Sequence, residues 1–227
     1  DNEDYTPYNL AQFNSLHSGN FNYYTKTSFN ISDVGLPLTF EHTYNSYTWD
    51  LPNSYFALRP LGNSWTHTYS SYLMEIPEDE TFPQGNSIIV ALPNGGFNIY
   101  RPTVDTFNIG KVYVPVTKGI YSQMEKLDAN TFIITTKSQI VLTYQKPTNT
   151  NSDFPFVLVS IRDRSNNQIN IVYEDADELG AKRIQKVQGT SGTSRELVFT
   201  YYANSDLLHK VTDPINRDIE FEYDDTN

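Results

Sequence analysis

Apolar and polar residues alternate at strand period through most of the chain. Leu36-Pro37-Leu38-Thr39-Phe40-Glu41-His42-Thr43-Tyr44 puts Leu38, Phe40, His42 and Tyr44 on one face of an extended segment. Thr39, Glu41 and Thr43 fall on the other. Apolar runs at 88–92 and 97–100 flank Pro93-Asn94-Gly95-Gly96, and an Asn-Gly pair supplies the positive φ that a tight hairpin turn requires. Runs at 131–136 and 139–144 flank Lys137-Ser138 and predict a second hairpin. The polar stretch 146–155, bounded by prolines, reads as an exposed loop and a candidate subdomain boundary. The first dozen residues read as either an arm or a short helical turn.

The last third repeats itself. Ile161-Arg162-Asp163-Arg164-Ser165-Asn166-Asn167-Gln168-Ile169-Asn170-Ile171-Val172-Tyr173 aligns with Val211-Thr212-Asp213-Pro214-Ile215-Asn216-Arg217-Asp218-Ile219-Glu220-Phe221-Glu222-Tyr223. Asp163 matches Asp213, Asn166 matches Asn216, and both copies end apolar-x-apolar-x-Tyr. A third copy runs from Val187 through Gly189 and Gly192 to Leu197-Val198-Phe199-Thr200-Tyr201, with two extra turn residues. Each copy predicts a hairpin. The Asp accepts backbone N–H bonds at the turn, Pro214 presets φ, and Asn166 and Asn216 tolerate the left-handed region. Ile219, Phe221 and Tyr223 then share one face and Glu220 and Glu222 the other. A lone hairpin cannot bury its apolar face, so the repeat implies stacked hairpins in an extended sheet.

Composition supports strands and removes several classes. The 227 residues include 17 Tyr and 13 Phe, and aromatics make up 14%; such side chains suit a pleated surface. There is no Cys, which excludes disulfides, cysteine zinc sites and thiol nucleophiles. The net charge of −11 argues against nucleic acid as partner. No apolar run reaches the roughly 18–20 residues of a membrane helix. The acidic start Asp1-Asn2-Glu3-Asp4 carries no signal peptide.

The repeats resemble the YD repeats of the Rhs family, whose pattern is an apolar lead, Asp-Pro-x-Gly-Arg, then apolar-x-apolar-x-Tyr-Asp. Residues 211–224 match it nearly throughout through Asp213, Pro214, Arg217 and Tyr223, with Asn216 in place of Gly. The copies ending at Tyr173 and Tyr201 are degenerate. Ser18-Gly19-Asn20, then Gly35-Leu36-Pro37-Leu38, Thr43-Tyr44-Asn45-Ser46 and Pro60-Leu61-Gly62-Asn63-Ser64-Trp65-Thr66-His67-Thr68-Tyr69-Ser70 resemble the domain that precedes such repeats. Here His42 stands where Arg is common and Ser64 where Gly is common. Residues 101–156 carry no motif beyond strand patterning.

The resemblance implies an all-β protein of twisted antiparallel hairpins, part of an Rhs/YD-type β-shell. An arm would span 1–15, the preceding β domain 16–156, and about three hairpin repeats 157–227. In the family such ribbons spiral into a hollow shell around a C-terminal toxin or other cargo. The implied role is therefore structural and non-catalytic, without cofactor or metal, in a bacterial secreted or cell-surface setting. The implied partners are further repeats of the same polypeptide and the enclosed cargo. No nucleic acid or membrane insertion is expected. Three repeats are too few to close a cavity, so the chain is expected to be an excision from a longer one.

Other chemistry was weighed against this. His17, His42, His67 and His209 lie in no close ligand spacing, although His42 and His67 can face each other across a sheet. Acidic clusters at 78–80, 174–178 and 224–225 match no calcium loop and read as solvated turns. Trp49, Trp65 and the tyrosines leave a carbohydrate or cell-surface binding module as an alternative. A glycan hydrolase is a second one, but no carboxylate pair can be picked from sequence. Asn30-Ile31-Ser32 is a lone glycosylation sequon. The last strand, around 219–223, is an open edge guarded by acidic residues and a candidate for strand addition.

Overall fold

The structure is a computed structural model. It describes residues 14–15, 20–24, 28–46, 59–76, 87–103, 111–148, 154–174 and 183–224. These residues form antiparallel strands and turns, with no helix among them. The predicted arm, Ser18-Gly19, His17, Trp49, the acidic run 78–80 and most of 174–178 lie outside the described residues.

In chain order the first strands are β1 (Asn14–Ser15), β2 (Asn20–Tyr24), β3 (Phe29–Ile31), β4 (Leu38–Phe40), β5 (His42–Asn45) and β6 (Trp65–His67). Among the described residues β1, β2, β5 and β6 make a four-stranded sheet, and β3 and β4 a two-stranded one. The alternating run at 36–44 is thus not one strand. It breaks at Glu41, whose N–H donates to Thr68 Oγ1 at 2.9 Å and whose carbonyl accepts the Thr68 N–H at 3.0 Å. Alternation reads as a half-exposed strand, yet Thr39, Glu41 and Thr43 are buried along with Leu38 and Phe40. One sequence run is divided between two sheets, which covers both of its faces.

The remaining strands are β7 (Tyr72–Ile76), β8 (Ser87–Ala91), β9 (Phe97–Pro102), β10 (Lys111–Pro115), β11 (Gln123–Asp128), β12 (Thr131–Thr135) and β13 (Val141–Gln145). They are followed by β14 (Phe156–Arg162), β15 (Gln168–Tyr173), β16 (Ile184–Gly189), β17 (Gly192–Tyr201), β18 (Leu208–Thr212) and β19 (Asp218–Glu220). Together these form a 13-stranded sheet. β7 to β14 close on themselves into an eight-stranded barrel, because β14 pairs with both β13 and β7. From β14 the sheet continues as a ribbon, β14-β15-β16-β17-β18-β19.

β14 belongs to both parts. One edge pairs along its length with β13; the other pairs at Phe156 and Val157 with β7 and at 160–162 with β15. The sequence boundary near 156 therefore falls at the strand the barrel and ribbon share. Strand partners Met124 and Tyr113, Met124 and Ile134, Phe132 and Tyr144, and Phe156 and Leu73 are all buried on the inner face. An eight-stranded barrel has an interior that side chains fill. Phe132 is central, 5.0 Å from the Phe156 ring and 6.0 Å from the Tyr113 ring, edge-on to both.

Both expected hairpins form. In the first, Gly95 has φ +76° and donates to the Leu92 carbonyl, while Leu92 donates to that of Gly96. In the second, Gln139 takes the left-handed region at φ 65° and donates to the Thr136 carbonyl. Phe132→Ala is expected to lower unfolding stability by about 3–5 kcal/mol, through lost transfer energy plus a cavity that closed barrel walls cannot collapse onto. Urea unfolding measures it, and a cost near 1 kcal/mol would show that the interior can relax.

Candidate functional site

The three terminal tyrosines of the repeats make the same contact. Tyr173 donates its hydroxyl to the Leu158 carbonyl at 3.0 Å, Tyr201 to Ile184 at 2.9 Å, and Tyr223 to Leu208 at 2.9 Å. Each acceptor lies on the first strand of the tyrosine's own hairpin, next to a bulge. Strand partners skip Val159 after Leu158, Gln185 after Ile184, and His209 after Leu208. A bulge adds a residue and interrupts the ladder. Backbone polar groups there still need partners, and the phenol supplies one. Burial pushes all three tyrosine pKa values well above the ordinary range, so the hydroxyls stay protonated as donors.

The turns bear out the sequence logic. Asp163 Oδ1 accepts the N–H of Ser165 at 2.8 Å and of Asn167 at 2.9 Å. Asp213 Oδ1 accepts those of Ile215 and Arg217, both at 2.9 Å. Asn166 and Asn216 have φ 64° and 61°. Arg217 adds a bidentate grip on Asp213 Oδ2, at 2.7 Å from Nε and 2.6 Å through the second nitrogen. Burial raises the Asp213 pKa, but the Arg217 and Ile215 bonds outweigh it and hold the carboxyl below the usual range.

The N-terminal motifs lie against this ribbon. The loop between β3 and β4 meets the turns of the first two repeats. Gly35 has φ +78°, and a Cβ there would sit 2.2 Å from Asn167 Nδ2. Asp33 takes a hydroxyl bond from Ser191 and a backbone bond from the same residue at 3.3 Å. The third turn reaches β3, with the Arg217 guanidinium 5.6 Å from the Phe29 ring centre. Leu36 packs on the core and Leu38 is fully buried in it, with Pro37 half-buried between them. Pro60 closes the other side: its carbonyl accepts the Leu208 N–H at 2.7 Å and the Tyr223 hydroxyl at 3.1 Å.

The second motif forms a turn and a strand pair. Gly62, φ +85°, donates to the Arg59 carbonyl. Ser64, standing where Gly is common, itself has φ 65°. Asn45 donates from its backbone to Ser64 and from Nδ2 to the Asn94 carbonyl at 3.2 Å, fixing the motif to a barrel hairpin. Trp65 packs against Tyr44 at 5.3 Å and His42 at 5.6 Å. His42 is the strand partner of His67, as the sequence allowed. His67 is buried, and its Nδ1 accepts the Tyr69 N–H at 3.2 Å. Burial, with His42 beside it, lowers its pKa to about 3. Tyr69 is buried in the same core.

A shallow open cleft runs along this seam, lined among others by Pro60, His67, Tyr69, Tyr72, Tyr173 and Tyr201. Its phenols include two of the carbonyl-bound tyrosines. Among the described residues no three His, Asp or Glu side chains converge as a metal site would require. Gly35, Leu36, Leu38, His67, Tyr69 and the repeat tyrosines lie along the seam, Asp213, Asn216 and Arg217 in the third turn, and Asn45 against a barrel hairpin. Asp33 and Ser191 carry no sequence signal for this role. Asp33 sits two residues before the Gly35 motif, but its partner is 158 positions away, and no local pattern signals that.

Residues 15–95 match the family model of a domain of unknown function, DUF6531. That stretch contains the motifs from Ser18 to Ser70. No curated protein matches. Among solved structures, the N-terminal domain of effector protein SpvB from Salmonella typhimurium strain LT2 is similar, with TM-score 0.46 and 11% identity. The match covers 73% of this chain and 64% of that one, so the chain spans less than two thirds of that structure.

Tyr201→Phe is expected to cost about 1–2 kcal/mol in urea unfolding, because a carbonyl beside a bulge loses its donor; a change within 0.3 kcal/mol would mean water replaces the phenol. Asp213 makes its contribution in full above its unfolded pKa of about 3.9, and loses it as pH falls toward its lower folded value. Asp213→Asn should therefore be less stable than the native chain by about 1–3 kcal/mol at pH 7, and the gap should narrow below pH 4. A gap that holds constant from pH 7 to 3 would contradict this.

Proposed function

We propose that the chain is a non-catalytic wall segment of an Rhs/YD-type shell that encloses a C-terminal toxin or other cargo in a secreted or surface-associated bacterial protein. The recurrent tyrosine-to-bulge bond carries the reading. Three successive hairpins of one sheet repeat one contact and contribute apolar side chains to one shared core. That is the property of a unit meant for stacking, since each hairpin covers the next. The degenerate copies fit as well: their missing Pro and enlarged turn change the loop and keep the tyrosine bond.

The seam supports the same reading. The N-terminal motifs cover the apolar face of the first repeats, as a ribbon's starting block must. At the far end, β19 pairs among the described residues with β18 alone. Asp218, Glu220 and Glu222 are exposed there, and they keep that edge from pairing indiscriminately. The next repeat of the same polypeptide is its proposed partner. Trp65 packs on both Tyr44 and His42, which favours the wall over a carbohydrate-binding module.

The test is the full-length gene product. Sequence after Asn227 is expected to add YD repeats and then an unrelated C-terminal domain. Limited proteolysis of that product should leave the C-terminal domain intact while the fold holds and degrade it once urea opens the wall. A C-terminal domain cut as fast in native buffer as in urea would overturn the proposal.

A further inference from the structure

We infer that His67 is an acid-sensitive latch on the seam between the N-terminal motifs and the hairpin ribbon, closed when its ring is neutral and released when it is protonated. The inference goes beyond the shell reading and does not need it.

The geometry places one titratable ring where two parts of the fold meet. His67 ends β6, and it is 1% exposed. Its ring lies 5.5 Å from Phe40 of β4 and 5.7 Å from Phe199 of β17, so it joins the N-terminal block to the middle repeat. Phe40 also meets Phe199 and Phe221 edge-on, at 5.8 and 6.2 Å. Nδ1 accepts the Tyr69 N–H, which requires an unprotonated nitrogen at that position. Adding a proton turns this bond into a repulsion between two donors. It also sets a charge on a buried ring between Phe40 and Phe199.

Burial and a neighbouring base both disfavour that charge. β5 presents His42, a second base that repels it. β4 and β17 present Phe40 and Phe199. The phenols of Tyr69, Tyr173 and Tyr201 share the cleft with it, and those of Tyr173 and Tyr201 are committed to carbonyls. Phe221 is flanked by Glu220 and Glu222, which point to solvent. Glu41, beside His42 in the chain, is buried and bonds through its backbone to Thr68, and burial first and His42 second disfavour a proton on the His67 ring.

The sign follows from linkage. An unfolded histidine takes its proton near pH 6.5, whereas His67 in the closed seam takes it only near 3. The closed form is therefore fully favoured above pH 6.5 and loses ground as pH falls toward 3. The loss amounts to about tenfold in the folded-to-unfolded ratio per pH unit for one withheld proton. The window from pH 7 to 5 lies above the Asp carboxyls, and the contribution of His42, whose pKa burial also lowers, is common to the native chain and a His67 variant, so the difference between the two reads His67.

Urea unfolding followed by tryptophan fluorescence at pH 7, 6 and 5 tests the latch in the native chain and in His67→Gln, whose amide oxygen still accepts the Tyr69 N–H. The native ratio is expected to fall about tenfold per pH unit more steeply than the variant's below pH 6.5. Equal slopes would overturn the inference. If the variant does not fold, the His67 ring is followed by NMR in the native chain. A ring still neutral at pH 5 while stability has dropped supports the latch, and a ring titrating near 6.5 overturns it.

Discussion

A phenol hydroxyl bonded to a carbonyl beside a β-bulge is the contact on which the C-terminal half is organised. It solves two problems together. The bulge lies in the ladder that joins each hairpin to the strand before it and adds twist there, but it interrupts that ladder beside buried residues. The tyrosine closes that gap from the opposite strand of the same hairpin. Because donor and acceptor lie on one hairpin, the contact recurs wherever the hairpin recurs. It also explains why tyrosine ends each copy: phenylalanine would fill the space and leave the carbonyl unserved.

The ribbon is not self-sufficient. Its apolar side is covered by β3, β4 and the segment from Pro60 to Tyr69, and the two sides share one core running from Phe29 to Val211. Polar contacts fix the register of that packing. Pro60 takes two hydrogen bonds from the third repeat, Asp33 reaches the second, and Gly35 makes room for Asn167 of the first. Each of the three hairpins thus touches the N-terminal block at a different place. The barrel enters through β14, which serves as its wall and as the first strand of the ribbon.

Much of this was legible in the sequence because the repeat is local. Asp163 and Asp213, Asn166 and Asn216, and Tyr173, Tyr201 and Tyr223 lie at fixed spacing, and turn chemistry and alternation act over a few residues. The hairpins at Gly95 and at Lys137-Ser138 were readable for the same reason. The barrel was not. Its closure rests on β14 meeting β7, strands more than 80 residues apart in sequence, and pairings at that range leave no periodic trace. The split at Glu41 was hidden too, since alternation continued through it and only Thr68, from a distant segment, shows why the strand stops. The seam was half visible: its motifs stood out as motifs, but their partners in the ribbon did not.

The claim that the N-terminal block and the ribbon form one unit is tested most directly by native-state hydrogen exchange at pH 7. The amides to compare are Leu208, bonded to Pro60, Tyr69, bonded to His67, and Phe221, bonded to His209. The account predicts one shared opening free energy with the same denaturant dependence for all three. A Phe221 amide that opens with the ribbon at markedly lower free energy, while Tyr69 stays protected, would show that the ribbon folds and opens without the block and would contradict the account.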